Sequence, residues 1–123
     1  MKFDQLSNSI IRCALEVHRQ LGPGLLKSTY EQCLAHELKI AGIPFKLQHS
    51  ISVKYKEIKI DCGYRVDLFV DNSIIIELKS VDKLLPIHKA QLLTYMKLSG
   101  TSIGLLMNFN EKYLKDRIKR MVL

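Results

Sequence analysis

Three ionisable residues stand where the neighbouring residues call for an apolar strand: Asp67 in GYRVDLFV, and Glu77 and Lys79 in SIIIELKS. Ile74, Ile75 and Ile76 read as a strand buried on both faces, and side chains two apart in a strand point the same way, so Glu77 and Lys79 share a face. Burying either ion alone is costly, so the pair needs a counterpart: each other, further side chains, or a cation. The turn before them decides whether Asp67 joins. With Asp71, Asn72 and Ser73 as an odd-length loop, Val70 faces Ile74 and Asp67 falls opposite Glu77, Cβ atoms roughly 5 Å apart. A shorter, two-residue turn would set Asp67 against Ile76 and send Glu77 to the other face. In the first register the two carboxylates repel unless a cation lies between them. Magnesium suits such oxygen ligands, and water bound to it is acidic; the Lys79 ammonium can orient that water and stabilise charge on a phosphate. This is the chemistry of phosphodiester hydrolysis. The same residues admit a plainer reading, with Glu77 and Lys79 as an ion pair at the strand end and Asp67 bonded to Arg65.

Elements on either side must hold this cluster. A first helix runs from about Asp4 to Gln20, with Leu6, Ile10, Cys13, Val17 and Leu21 spaced in steps of four or three. Gly22-Pro23-Gly24 breaks it, and a second helix follows with Leu34 and Leu38 inward and Gly42 at its C-terminal cap. From Phe45 the period changes to that of strands: Leu47 to Tyr55, Ile58 and Ile60, Val66 to Val70, and Ile74 to Leu78, with turns at Lys56-Glu57 and Asp71-Asn72-Ser73. Pro86 opens a third helix ending near Gly100, its apolar side carrying Ala90, Leu93 and Met96. Ser102 to Met107 gives another strand, and the basic tail reads as a last helix. The order ααβββαβα, with one strand–helix–strand crossover beside antiparallel hairpins, predicts an α/β (α+β) fold: a mixed central sheet flanked by helices.

The 123 residues, 47% hydrophobic, predict one domain with a single core. Apolar runs fall short of a membrane span and MKFDQLSNSI is polar where a secretory leader would be apolar, so a cytoplasmic protein with no membrane partner is expected. Cys13, Cys33 and Cys62 lack metal-ligand spacing and read as small buried hydrophobes. The net charge of +7 draws on Lys112, Lys115, Arg117, Lys119 and Arg120, a surface that attracts polyanions.

Taken together, LGPGLLKSTYE, GYRVDLFV, IIIELKSV, IHKAQLLTYMKLSG and IGLLMNF resemble, in order and spacing, the PD-(D/E)XK nuclease superfamily and within it the small GxxExxY proteins. The resemblance implies a restriction-endonuclease-like αβββαβ core with Asp67, Glu77 and Lys79 as metal and catalytic residues. It implies Glu31 as the helix acid and a possible further metal ligand, and the Leu78 backbone carbonyl as another. Gln91 and Tyr95 match a QxxxY signature of exonuclease-like branches and would line the cleft, whereas His88 can simply cap its helix. The implied cofactor is Mg2+, with Mn2+ as substitute, and the implied partner is nucleic acid, with DNA expected and a homo-oligomer plausible for so small a chain. One position departs: Gly24-Leu-Leu-Lys27-Ser-Thr-Tyr30 has lysine where the family motif has glutamate, which reads as a solvated or phosphate-facing charge. Ser28-Thr-Tyr-Glu31 also reads as a capping box, a second use for Glu31. A catalytically weakened nucleic-acid- or protein-binding module of the same fold is the alternative function, and a structural subunit of a larger complex is a third.

Overall fold

In the computed structural model, which describes residues 4–123, helices α1 (Gln5–Leu21) and α2 (Lys27–Ile40) precede strands β1 (Phe45–Tyr55), β2 (Ile58–Val70) and β3 (Ile74–Lys79). Helix α3 (Pro86–Ser99) crosses over to β4 (Ile103–Asn108), and a short 3-10 turn, Leu114–Arg117, leads into β5 (Ile118–Val122). The strands lie in the order β1-β2-β3-β4-β5; β3 and β4 are parallel and the other neighbours antiparallel. This is the mixed α/β sheet flanked by helices that the pattern predicts.

Local chemistry sets the helix ends. Asp4 caps α1 by accepting the Ser7 amide at 2.8 Å. Helix α2 ends in a Schellman turn, Ile43 N–H donating to Leu38 O at 3.0 Å and Gly42 N–H to Lys39 O at 3.1 Å, with Gly42 at φ 72°. Ile10, Ala14 and Val17 of α1 and Tyr30, Leu34 and Leu38 of α2 pack on one sheet face against Leu68, Val70, Ile74, Ile76, Leu78, Leu105 and Met107. On the other face Leu92, Tyr95 and Met96 of α3 cover Ile51, Val66, Ile75 and Leu106. Of the predicted stripe, Met96 is buried and Leu93 packs at the edge of this cluster, but Ala90 is exposed and Leu92 and Tyr95 complete the buried side. Close approach at this interface needs Gly104, whose added Cβ would lie 2.6 Å from Met96 Sδ.

The tail is a strand, not the predicted helix. β4 offers an open edge that β5 fills from Ile103↔Val122 to Met107↔Ile118. Ile118 then packs with the α1/α2 cluster and Met121 with the α3 cluster, an alternation that tertiary pairing rewards over local helix propensity. Two of the five basic tail residues are tied down: Arg120 pairs with Asp4 at 2.8 Å and Arg117 with Glu111 at 3.2 Å. Cys62 is exposed, against the expectation of a buried thiol, because it sits on the outer half of the β1–β2 hairpin, which extends past the ladder with β3. No helix among the described residues is long and apolar enough to cross a membrane.

Candidate active site

β2 and β3 pair only from Val70↔Ile74 to Leu68↔Ile76, the register that follows from the odd-length loop at Asp71 to Ser73. One residue further the ladder stops, and two carboxylates take its place. The Asp67 N–H donates to Glu77 Oε1 at 3.0 Å, and the Leu78 N–H donates to Asp67 Oδ2 at 2.8 Å. Each acid accepts from the backbone of the opposite strand, so the side chains are pinned to the same structure that brings them together. Both are buried, Asp67 at 4% and Glu77 at 5% exposure. Leu78 meets the site here through its amide.

The strand alternation breaks at the same place. Val66 packs with the α3 cluster and Leu68 with the α1/α2 cluster, although side chains two apart should share a face. Across from Asp67, between the pairs Leu47↔Leu68 and His49↔Val66, Gln48 stands at φ 49°. A left-handed residue other than glycine costs about 1 kcal/mol. The side chain it presents donates through Nε2 to Glu31 Oε1 at 2.7 Å and to Asp67 Oδ1 at 3.3 Å. Nothing in KLQHSIS distinguishes this glutamine from an ordinary strand residue, and the local pattern gives no sign of its role.

Helix α2 delivers Lys27 and Glu31 one turn apart. It begins at Lys27 without a side-chain cap, so Ser28 lies inside the helix and the capping-box use of Glu31 does not occur. Glu31 is instead 7% exposed and turned to Gln48. Lys27 is not a free surface charge: its Nζ lies 2.9 Å from Asp67 Oδ1, with 41% of the side chain exposed. The predicted Asp67–Arg65 bond is replaced by this pair. Tyr30, fully buried, holds the preceding loop by donating its hydroxyl to Gly22 O at 2.6 Å and accepting the Leu25 N–H at 3.1 Å. Its ring stacks on Phe109, centroids 4.6 Å apart.

Lys79 ends β3, half-buried, two residues on from Glu77. Its carbonyl accepts the Phe109 N–H at 2.9 Å, and buried Asn108 grips the next loop, accepting Val81 N–H at 3.1 Å and donating to Val81 O at 2.9 Å. From α3, Gln91 donates to the Tyr95 hydroxyl at 3.0 Å, leaving the phenol its own proton to donate. His88 caps α3, its Nδ1 accepting the Leu85 N–H at 3.0 Å.

The charges act on one another. Burial and then the Asp67 charge push the Glu77 carboxyl up to about 7, against the Asp67 N–H and the ammonium groups of Lys27 and Lys79, which hold it down. Burial and Asp67 likewise raise Glu31. Burial raises the Tyr95 phenol, and the Glu77 charge adds to it, which places Tyr95 in the field of the same cluster. For Lys27, burial works to lower the ammonium, but the bond to Asp67 and the acids around it prevail and raise it. The carboxylate oxygens of Asp67 and Glu77 suit a hard divalent cation. Among the described residues no three His, Cys, Asp or Glu side chains form a ready-made cage, so a cation here would rest on Asp67 and Glu77, with Glu31 joined to Asp67 through the Gln48 amide.

Comparison with protein families finds a match to the PD-(D/E)XK nuclease superfamily over residues 4–121. Comparisons with curated proteins and with solved structures find no match.

Proposed function

The chain belongs to the PD-(D/E)XK nuclease superfamily, and from that premise we propose that it is a divalent-metal-dependent hydrolase of phosphodiester bonds in nucleic acid, acting on DNA. The observation that carries this reading is the pair of crossed bonds, Asp67 N–H to Glu77 and Leu78 N–H to Asp67, which holds two acids where the sheet opens. Asp67 and Glu77, with the Leu78 carbonyl, would hold Mg2+ or Mn2+. The bound metal would supply an acidified water and neutralise charge gathering on the phosphate. Lys79, on the face of Glu77, positions the attacking water and stabilises the developing negative charge. The Tyr95 hydroxyl, oriented by Gln91, donates to a phosphate oxygen, and Glu31 acts through Gln48 to orient Asp67.

The finer placement we favour is among the small GxxExxY proteins, since Gly24, Lys27 and Tyr30 keep that spacing around the turn into α2. Tyr30 then has the structural part of the motif and position 27 the chemical part. One observation favours a second reading, a binding module with weakened chemistry: the Lys27 ammonium already sits on Asp67. Incubating the protein with labelled DNA and RNA in magnesium or manganese, beside a chelator control and Lys79→Ala, separates the two. Cleavage that needs metal and Lys79 supports the nuclease. Binding without cleavage, unchanged by chelator, supports the module.

A further inference from the structure

We propose that Lys27 is a tethered counter-ion that occupies the cation position of the Asp67–Glu77 cluster and must swing out before a divalent metal can bind. This inference rests on the functional reading above. Three buried acids, Asp67, Glu77 and Glu31, crowd the opening of the sheet, and the Lys27 ammonium lies against the first of them, 2.9 Å from Asp67 Oδ1. Glu77 and Glu31 lie in its field as well. The ion pair thus supplies positive charge to a carboxylate oxygen that a metal would otherwise take.

Local structure argues that the lysine is kept for this pairing. Lys27 is the first residue of α2, where the positive end of the helix dipole disfavours a cation. The helix has no side-chain cap and no acid in its first turn to offset that cost. A glutamate there would suit the helix better, yet it would add a fourth carboxylate to the cluster. Breaking a local rule for a buried partner marks a residue whose role lies in the site. The tether is also releasable. With 41% of its side chain exposed, Lys27 can withdraw along its own methylene chain to solvent while α2 stays docked through Tyr30, Leu34 and Leu38.

The consequence is a site whose negative charge is partly neutralised without metal and which binds metal weakly, because binding includes displacement of the ammonium. The test is calorimetric titration of Mg2+ and Mn2+ into the full chain and its Lys27→Met, Lys27→Glu and Lys27→Arg variants, with thermal melts in chelator and in metal. Lys27→Met and Lys27→Glu should bind metal at least tenfold more tightly than the parent. Both should melt lower than the parent in chelator and recover in metal, whereas Lys27→Arg should behave as the parent. Equal affinities in all four proteins would overturn the proposal while leaving the metal site standing. Absence of metal binding in every protein, parent included, would overturn the proposal together with the nuclease reading. Should Lys27→Glu fail to fold in chelator, the Lys27→Met titration decides.

Discussion

Glu77→Gln should make the metal-free protein more stable in mild alkali and leave it nearly unchanged in mild acid. The folded chain holds the Glu77 carboxyl at about 7, well above its ordinary 4.5, through burial and the neighbouring Asp67 charge. Between those values the folded chain binds more protons than the unfolded one, so stability falls as pH rises through the window and levels off above it. At about 1.4 kcal/mol per pH unit, the raised carboxyl costs the ionised folded state on the order of 3 kcal/mol, a large share of a small domain's stability. Glutamine retains a carbonyl oxygen to accept the Asp67 N–H, the bond that holds the strand opening, but carries no charge to repel Asp67. Urea unfolding of both proteins in chelator, from about pH 4.5 to about pH 8.5, should give curves that meet at the acid end. They should diverge by about 3 kcal/mol at the alkaline end, with Glu77→Gln above. If Glu77 were chiefly the partner of a structural ion pair, its loss would instead cost about 3–5 kcal/mol at neutral pH. Parallel curves, or a variant well below the parent at pH 8, would refute the reasoning.

Other perturbations test the parts that position the site. Gly104→Ala should cost about 1–3 kcal/mol, read by chemical denaturation, because the new methyl meets Met96 and Leu92. Tyr30→Phe removes two hydrogen bonds to the turn before α2 and should cost about 1–3 kcal/mol, with faster hydrogen exchange of the Leu25 amide as the local signature. At position 48 both Ala and Gly lose the bridge to Glu31 and Asp67, but Gly relieves the left-handed backbone, so Gln48→Gly should be more stable than Gln48→Ala by about 1 kcal/mol. In the tail, Lys119→Ala should flatten the log–log salt dependence of nucleic-acid binding by a slope of roughly one, the value for a single phosphate that is no longer neutralised. Arg120→Ala should lower the melting temperature and leave that slope alone, since its guanidinium holds the α1 cap.

Much of this molecule follows from local pattern. The steps of four and three from Ile10 to Val17, the glycines that end α2 and α3, and the proline that opens α3 each specify their element through short-range sterics and periodicity. The odd-length loop at Asp71 to Ser73 sets the β2–β3 register, and with it the approach of Asp67 to Glu77, because the side-chain period of a strand is two. What local pattern left open is whatever depends on partners distant in sequence. The tail IKRMV is a strand because β4 has an edge to offer, a fact that no window around residue 118 contains. Gln48 takes a left-handed backbone because Glu31 and Asp67, 17 and 19 residues away, both accept from its amide. Lys27 reads locally as an exposed charge at a helix start, yet packing of α2 on the sheet brings it onto a buried carboxylate of β2. Charges separated in sequence meet only once the layers are assembled, and burial followed by their mutual field, not their spacing, sets how this cluster ionises.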